Sequence, residues 1–350
     1  MAKLIRVSPD SGSTWHSLPG STGGFELNGE SIDDTILGQS FKSSQAGLIV
    51  WSIGSNAIYK GYAGYLAKIL RPGTPTATTG ESMTLVSGKT YKIDDTAKDV
   101  WDRSVAAVIY DGGSPVAASN IDNIDYLFGK VTFVSGYTVS GAVTCDVTYL
   151  PMSQLGKGQS FDLGMTAEPK DTTDFETAQG NNGYRTFDPG LRTVALDLSG
   201  VYNASVDARG DLDARNELVI EVDPVGTGKS IFRGFFKMIT TGQSGDVGAL
   251  EEETMSFELS VPYDDTISVV CSWEHDATTD IPDGVKDVLD AWLNETTIDV
   301  DYLPQGARGQ SPLDGVNGTC IVTDVSLSGG LSDMNVFTAS LQGSGAYAEV

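Results

Sequence analysis

Basic residues, histidine, cysteine and long apolar runs are all scarce in this sequence. Its 350 residues hold 22 Lys and Arg against 47 Asp and Glu, a formal net charge of −25, and its histidines are His16 and His275. A groove that binds nucleic acid tightly needs clustered Lys and Arg, and chemistry based on several histidines is poorly supplied. The composition therefore argues against tight phosphate binding and against histidine-based catalysis.

The three cysteines are Cys145, Cys271 and Cys320. Their odd number and wide spacing argue against a disulfide framework and against a CxxC-type metal site, so we expect buried free thiols in strands. The longest apolar run, residues 46–51, is far shorter than the roughly 20 residues that cross a bilayer. Because the first residues also lack the apolar core of a signal peptide, we expect no membrane segment and synthesis in a cytoplasm.

What the sequence does have is a strong strand pattern. Hydrophobic residues make up 40% and aromatic residues 9%, which is too much apolar surface for a disordered acidic chain. Apolar side chains alternate with polar ones in β-branched and aromatic runs such as 48–53 and 143–150, and 41 glycines supply turns. The pattern predicts an all-β fold.

Changes in composition divide the chain into four parts. Residues 1–70 contain short strands, and a stretch rich in Pro, Thr and Gly follows them at 71–80. Residues 71–155 predict a small inserted β domain. The remaining parts, 156–263 and 264–350, predict two further β modules.

These last two parts repeat one order of elements, namely strand, helix, strand, strand, glycine-bearing turn and strand. Gly234 and Gly318 stand at matching points, and 318 − 234 = 84 residues separate them. One helix is predicted over 207–216, and another begins at Pro282 with Asp280 as its cap. The repeat indicates a tandem duplication. The predicted fold is therefore two small β-sandwich or half-barrel modules, each with one packed helix, plus the inserted β domain.

A long polar segment, residues 168–190, lies in the first of these modules. Such a loop in a compact chain is either functional or disordered. Phe175, Tyr184 and Phe187 favour docking on a partner, and Arg185 can form a fork with a carboxylate. Because a polar segment cannot order itself by internal burial, we expect its order to come from the partner and its aromatic side chains to lie outside the module cores.

Motifs for catalysis, cofactors and metals are weak. The sequence GTGKS at 226–230 is similar to a phosphate loop, but Asp223 stands where that pattern needs glycine, and a strand follows it. The acidic clusters do not match a calcium loop; they are Asp207, Asp211 and Asp213, and Asp276, Asp280 and Asp283. A glycosidase with paired carboxylates stays open for so acidic a chain. The sequence nevertheless predicts no catalytic residue, no metal site and no cofactor, and hence a protein that is not an enzyme.

Several of these stretches resemble the major tail proteins, or tail tube proteins, of long-tailed bacteriophages. The resemblance rests on 318–325 and 336–345, on 234–259 as the second copy, and on 32–35 followed by 47–53. It covers most of the chain apart from about 71–152. A typical member of that family has one tube module per chain, whereas this sequence has two.

The resemblance implies a structural virion protein, made in the host cytoplasm, whose rings stack head to tail into a hollow tail tube. DNA would pass through the tube during ejection without specific binding, and an acidic lumen would keep it mobile. Its partners would be other copies of the chain, together with tail terminator, tape-measure and distal tail proteins. With two modules per chain, three chains would complete a ring of six modules, a homotrimer.

Two further expectations follow for this reading. The inserted domain would project from the tube exterior, and Phe175, Tyr184, Arg185 and Phe187 would contact the adjacent subunit or the next ring. A receptor-binding or lectin-like surface β protein is the alternative. The duplicated module and the lack of a secretion signal favour the tube.

Overall fold

The computed structural model describes residues 4–20, 22–34, 44–59, 67–201, 208–224, 230–244, 252–261, 269–275, 281–309, 315–330 and 335–350. Strands dominate these residues, which confirms the all-β class. The strands are β1 (Leu4–Ser8), β2 (His16–Leu18), β3 (Thr22–Asp33), β4 (Ser44–Tyr59), β5 (Ala67–Pro72), β6 (Thr76–Ser87), β7 (Thr90–Ile93), β8 (Val108–Asp111), β9 (Ser114–Pro115), β10 (Ile121–Asp125), β11 (Lys130–Phe133), β12 (Val143–Tyr149), β13 (Met152–Lys157), β14 (Ser160–Asp171), β15 (Phe187–Val201), β16 (Glu217–Val222), β17 (Ser230–Ser244), β18 (Glu252–Leu259), β19 (Cys271–His275), β20 (Ile298–Leu303), β21 (Val316–Gly330), β22 (Asn335–Gly343) and β23 (Ala348–Glu349). The α-helices are α1 (Phe175–Gly180), α2 (Ala208–Ala214) and α3 (Asp283–Leu293).

Contacts group the chain into two units that are both discontinuous in sequence. Unit 1 holds Met1–Tyr62, Asp162–Ala195 and Asp276–Val350, and unit 2 holds Ala63–Phe161 and Leu196–His275. The predicted boundaries at residues 70, 155 and 263 follow the order of the sequence. The units instead combine segments that are far apart along the chain.

Two sets of strands with one common order carry the predicted duplication. The terminal module is the set β2-β1-β20-β21-β22-β4-β3, with β23 beside β21 and with α3. The central module is the set β13-β5-β16-β17-β18-β15-β14, with β19 beside β17 and with α2. Taken along the chain, each strand and helix of one module has a counterpart in the other. Residues 1–70, predicted only as an N-terminal part, thus supply the first four strands of the terminal module.

The match between modules extends to single residues in their longest hairpins. Both the β17–β18 and the β21–β22 ladder skip one residue, at a bulge whose flanking pairs differ by 84 in number. These pairs are Met238↔Phe257 and Thr240↔Ser256 in the central module, and Val322↔Leu341 and Asp324↔Ser340 in the terminal one. A bulge fixes local twist and register. Its repetition therefore indicates one ancestral module, as the 84-residue spacing predicts.

Both predicted helices are present, with small shifts at their ends. The helix α3 spans Asp283–Leu293, and Pro282 occupies its cap position without any side-chain cap. A proline before the first turn suits a helix start because no donor is lost there. Asp280, the predicted cap, lies outside the described residues. The predicted apolar face is buried, and it consists of Val285, Val288, Leu289 and Trp292, with Leu293 partly buried.

The weaker helix α2 covers Ala208–Ala214, inside the predicted 207–216. Its Asp211 is 2% exposed, and Arg71 donates two hydrogen bonds to its carboxylate. Asn216 adds a third bond at 2.9 Å. This carboxylate of the predicted acidic cluster is therefore used in an ion pair inside unit 2.

A seven-stranded antiparallel sheet in the order β10-β11-β7-β6-β12-β8-β9 forms the inserted domain, between Thr76 and Tyr149. Its core includes Trp101, Leu127, Phe128, Val131, Phe133 and Cys145. Val219 on β16 and Phe235 on β17, both 0% exposed, belong to the same core cluster. The inserted domain therefore shares a core with strands of the central module in unit 2.

Arg233 on β17 joins the inserted domain to the central module through ionic and hydrogen bonds. Its guanidinium donates to Asp99 at 2.7 Å, to Glu221 at 2.9 Å and to the Leu127 carbonyl at 2.9 Å. It also lies 4.7 Å from the centre of the Phe128 ring. Asp99, Leu127 and Phe128 belong to the inserted domain, so one buried cation binds it to β16 and β17.

Three more polar contacts join β19 to the inserted domain. Glu274 on β19 accepts from Lys92 at 2.8 Å and lies 3.3 Å from Lys130. Ser272 donates to Asp125 at 2.6 Å. Apolar and ionic contacts therefore bury the inner face of the inserted domain against β16, β17 and β19.

Deleting residues 73–153 behind a short Gly/Ser bridge should therefore destabilise what remains, because Val219 and Phe235 lose their cover and Arg233 loses Asp99 and the Leu127 carbonyl. A thermal melt followed by circular dichroism measures the effect, and we expect a midpoint several degrees lower. Lengthening the exposed β8–β9 turn at Gly112 is the matched control, with the midpoint expected to stay in place. An unchanged midpoint in the deleted chain would refute the shared core.

Candidate subunit interface

The segment 168–190 is an ordered connection between the two strands of the β14–β15 hairpin. β14 runs to Asp171, α1 spans Phe175–Gly180, and β15 starts at Phe187. Asp174 caps α1 by accepting from the Thr177 N–H at 2.6 Å, and Thr177 Oγ1 accepts from the Asp174 N–H at 3.0 Å. This reciprocal capping box satisfies donors that a helix start otherwise leaves unpaired. We name residues 168–190 the arm.

Backbone hydrogen bonds tie the arm to other segments of unit 1. The Ile49 N–H donates to the Gly183 carbonyl at 2.8 Å, and the Arg185 N–H returns a bond to the Ile49 carbonyl at 3.0 Å. The Gly345 N–H donates to the Arg185 carbonyl at 2.8 Å. The expectation that the arm takes its order only from a partner is therefore wrong, because β4 and the C-terminal segment already pair with it.

Phe187 contradicts the expectation that the arm's aromatic side chains lie outside the module cores. It is 8% exposed, and its N–H donates to Ser344 Oγ at 2.8 Å. Ser344 Oγ in turn donates to the Phe187 carbonyl at 2.9 Å. This side chain is a core residue of unit 1.

Tyr184 and Arg185 are partly exposed, which leaves them accessible to a partner. The Tyr184 ring stands edge-on to Tyr347 at 5.5 Å, and burial together with a hydrogen bond to Tyr347 raises the pKa of Tyr184. Arg185 donates to Asp171 at 2.7 Å and also pairs with Glu30. Phe175 is the first residue of α1, and its side chain is not among the parts of the chain that the structure describes. Contact of these residues with another subunit stays a prediction.

An aromatic cluster that was not predicted from the sequence contacts the arm at Tyr184. Tyr347 lies 5.5 Å from Phe25 and 5.9 Å from Trp51, measured between ring centres. Trp51 is 1% exposed and donates its indole N–H to the Gly345 carbonyl at 2.8 Å. The cluster joins β3, β4, the arm and the C-terminal segment. The aromatic residues were visible in the sequence, but nothing in their spacing brought them together.

Among the described residues, no three His, Cys, Asp or Glu side chains are grouped as metal ligands would be. Cys145 and Cys320 are buried thiols as predicted, whereas Cys271 is only partly buried. Burial raises the pKa of Cys145 to about 12 and that of Cys320 well above its ordinary value. His16 Nδ1 lies 2.6 Å from the Asp287 carboxylate, which places this histidine in the contact between β2 and α3.

The phosphate-loop-like residues 226–229 lie outside the described residues, as do Asp207, Asp276 and Asp280. The strands that flank 226–229, β16 and β17, are antiparallel partners. None of the helices in the described part of the chain has the length and apolar character to cross a membrane.

No protein-family model matches this sequence, and no curated protein does. Among solved structures, the chain is similar to one from the tail of an empty gene transfer agent particle, computed with helical refinement and C6 symmetry. That match has 17% identity and a TM-score of 0.28, and it covers 36% of this chain and 87% of that chain. A second similar chain comes from the virion of a native gene transfer agent particle, with 17% identity, a TM-score of 0.27, and coverage of 32% and 85%.

Proposed function

We propose that this chain is a structural virion protein that polymerises into a phage-like tail tube. The observation that carries the proposal is the duplicated module, with one strand order and one bulge position in both copies. Two copies of one module in a chain supply repeated, equivalent surfaces, which a closed ring needs. The same segments carry the resemblance to tail tube proteins noted from the sequence.

The ring would contain three chains, because two modules per chain then give six modules. Rings stacked head to tail would form the tube, since contacts between unlike faces continue without closing. The arm, through Phe175, Tyr184 and Arg185, would reach the adjacent subunit or the next ring. Tail terminator, tape-measure and distal tail proteins would be the other partners, and the mature location would be the virion tail.

The net charge of −25 suits a conduit for DNA. A duplex that has to slide cannot be held by Lys or Arg contacts to its phosphates, which bind through counterion release. Carboxylates facing the lumen repel phosphates over roughly 8 Å at physiological salt. DNA would therefore stay centred and mobile during ejection, and the chain would perform no catalysis.

Negative-stain microscopy and mass measurement of the purified chain test this function. We expect rings or tubes, and a ring mass of three times 37.0 kDa, or 111 kDa. Rings of six chains would contradict the pairing of two modules per chain. Dispersed monomers at high concentration would contradict the tube and favour the alternative, a receptor-binding or lectin-like surface protein.

The arm gives a separate prediction about stacking. Phe175→Ala should shorten the tubes without lowering the thermal midpoint, because an aromatic anchor at an interface typically contributes about 2 kcal/mol or more. Phe187→Ala is the matched comparison: it empties a buried site, so we expect a loss of roughly 3–5 kcal/mol in unfolding free energy. Tube lengths in micrographs and melting curves separate the two effects. Tubes of normal length from the folded Phe175→Ala chain would remove the arm from the interface.

A further inference from the structure

The β3–β4 and β14–β15 hairpins are counterparts in the two modules, and their sequences agree. Phe25-Glu26-Leu27 in β3 corresponds to Phe161-Asp162-Leu163 in β14. In the second strands, Gly47-Leu48 in β4 corresponds to Gly190-Leu191 in β15. One hairpin type is therefore present twice, and its two copies can be compared residue by residue.

The two hairpins differ in how far their first strands are covered. In β14, every second residue is buried, and exposure is 3% at Phe161, 0% at Leu163 and 0% at Met165. In β3, Phe25 is only partly buried and Leu27 is 46% exposed. The apolar face that is covered in the central module's hairpin is open in the terminal module's hairpin.

On the edge of β14 that faces away from β15, the neighbouring strand within unit 1 is β21. β20 pairs with β21 only as far as Cys320, whereas β22 pairs with the opposite edge of β21 from Cys320 to Ser328. β14 therefore lies on the same edge of β21 as β20, in the part beyond Cys320 where β20 is no longer paired. Along that half of β21, Val325 and Leu327 are both 0% exposed.

The counterpart of β21 is β17, and most residues of its matching half, 238–244, are exposed. β16 pairs with β17 only as far as Lys237, whereas β18 pairs with the opposite edge of β17 as far as Ser244. Beyond that point Ile239 is 47% exposed, and nearly all residues up to Ser244 are exposed. Among the described residues, no strand holds on β17 the position that β14 holds on β21.

We propose that β3 of one chain pairs with the far half of β17, residues 238–244, in a second copy of this chain. This inference rests on the proposed function and assigns its subunit contact. Each chain would then offer one strand to a neighbour and accept one from another, the strand-addition mode of recognition. Such a contact joins unlike surfaces, so it closes into a ring when the rotation between copies allows.

Charge favours β17 over a second β3 as the partner of β3. The strand β3 carries the exposed carboxylate of Glu26, and carboxylates on an edge strand oppose pairing with an identical edge. The far half of β17, Met238–Ser244, has no acidic residue. Two copies of β3 therefore repel each other, whereas β17 presents a neutral edge.

The pairing inside the chain also indicates which positions meet. Burial raises the pKa of Asp324, and the carboxylate of Asp162 adds to that shift, so these two residues are close in the β14–β21 contact. Their counterparts are Glu26 on β3 and Thr240 on β17, both exposed. In the assembled ring, Glu26 of one chain should therefore lie near Thr240 of the next.

Cross-linking between variants that each carry one accessible cysteine tests this assignment, since Cys145 and Cys320 are buried. In a Cys271→Ser background, which removes the partly buried native thiol, Glu26→Cys and Thr240→Cys chains are assembled together and treated with a short bis-maleimide. We expect a covalent species of two chains from the mixture. The doubly substituted chain should give a ladder that ends at three chains. The matched control replaces Thr240→Cys by Thr254→Cys, which lies on β18 at the other edge of β17, and we expect no cross-link from it.

Hydrogen exchange supplies an independent readout on the unsubstituted chain. The β3 amides should become protected on assembly, at least tenfold more than those of the exposed β6 residues near Leu85. Rings that assemble without the cross-link and without this protection would overturn the β3–β17 contact while leaving the tube function intact. A cross-link within one chain would also overturn it. Failure of the unmodified chain to assemble would overturn both.

Discussion

Replacing Arg233 by methionine should lower the free energy of unfolding by about 3–5 kcal/mol, the usual cost of breaking a buried ion pair. The Arg233 side chain is 12% exposed, and the carboxylates it binds are similarly covered, 12% at Asp99 and 5% at Glu221. Methionine keeps an unbranched apolar side chain beside the Phe128 ring, so the loss reports mainly the missing charge. Urea unfolding at neutral pH, followed by circular dichroism, measures it.

The same variant should show a pH dependence with a definite sign. Burial raises the pKa of Glu221, but the charges of Arg233 and Lys68 outweigh burial and hold it below its ordinary value of 4.5. Its stabilising contribution is therefore complete above about pH 4.5 and is lost as pH falls through the folded pKa. Burial raises the pKa of Asp99 in spite of Arg233, and removing the cation raises it further. The gap between the two proteins should therefore be largest at neutral pH and shrink in acid.

Arg185→Met is the matched control, because Arg185 also binds two carboxylates but does so at the surface. Its partners Asp171 and Glu30 have side chains that are 39% and 50% exposed. Exposed pairs typically contribute less than about 1 kcal/mol. Neutralising both acids, with Asp99→Asn and Glu221→Gln added to Arg233→Met, should recover part of the loss. Equal effects of the two arginine substitutions would contradict the role of Arg233.

Local pattern was sufficient for the parts of the fold whose partners lie close in sequence. The β17–β18 and β21–β22 hairpins follow from alternation and glycine turns, and the apolar face of α3 follows from its spacing. The 84-residue repeat was visible because its hairpins are continuous stretches. These are short-range features, and the structure agrees with them.

Pairings across long stretches of chain could not be predicted in this way. β1 pairs with β20, with Val7 opposite Val300. The terminal module is thus split by everything between β4 and α3, and alternation within a strand does not say which strand lies beside it. The shared motifs Phe25-Glu26-Leu27 and Phe161-Asp162-Leu163 were the available signal that residues 1–70 belong to a second copy.

The order of the arm and the cover over the core of the inserted domain could not be predicted, for a common reason. A polar segment looks unsupported when its partners, such as Ile49 and Gly345, are distant in sequence and bind through backbone atoms. Backbone donors and acceptors leave no trace in side-chain composition. Val219 and Phe235 likewise look like ordinary strand residues, although their cover comes from another sheet.

Trp51→Ala should cost about 3–5 kcal/mol of unfolding free energy, as large aromatic truncations in cores do. Trp51 fills the space left by two glycines of unit 1, since a Cβ on Gly318 would lie 2.6 Å from its ring and one on Gly343 would clash with it. A Cβ on Gly234, the counterpart of Gly318, would likewise lie 2.5 Å from the Phe236 ring. An aromatic side chain over this glycine is thus common to both modules.

Trp51→Ala should also reduce ring assembly, because the Trp51 indole donates a hydrogen bond to Gly345 and its ring contacts Phe25 on β3. We expect the folded fraction of Trp51→Ala to form fewer rings than unmodified chains at equal folded concentration, measured by sedimentation. Trp15→Ala is the control: Trp15 is partly exposed against Arg6 and Arg308, so its removal should cost less and leave ring formation unchanged. If Trp51→Ala lowers stability but assembles normally, the aromatic cluster supports the fold and does not position β3 for its neighbour.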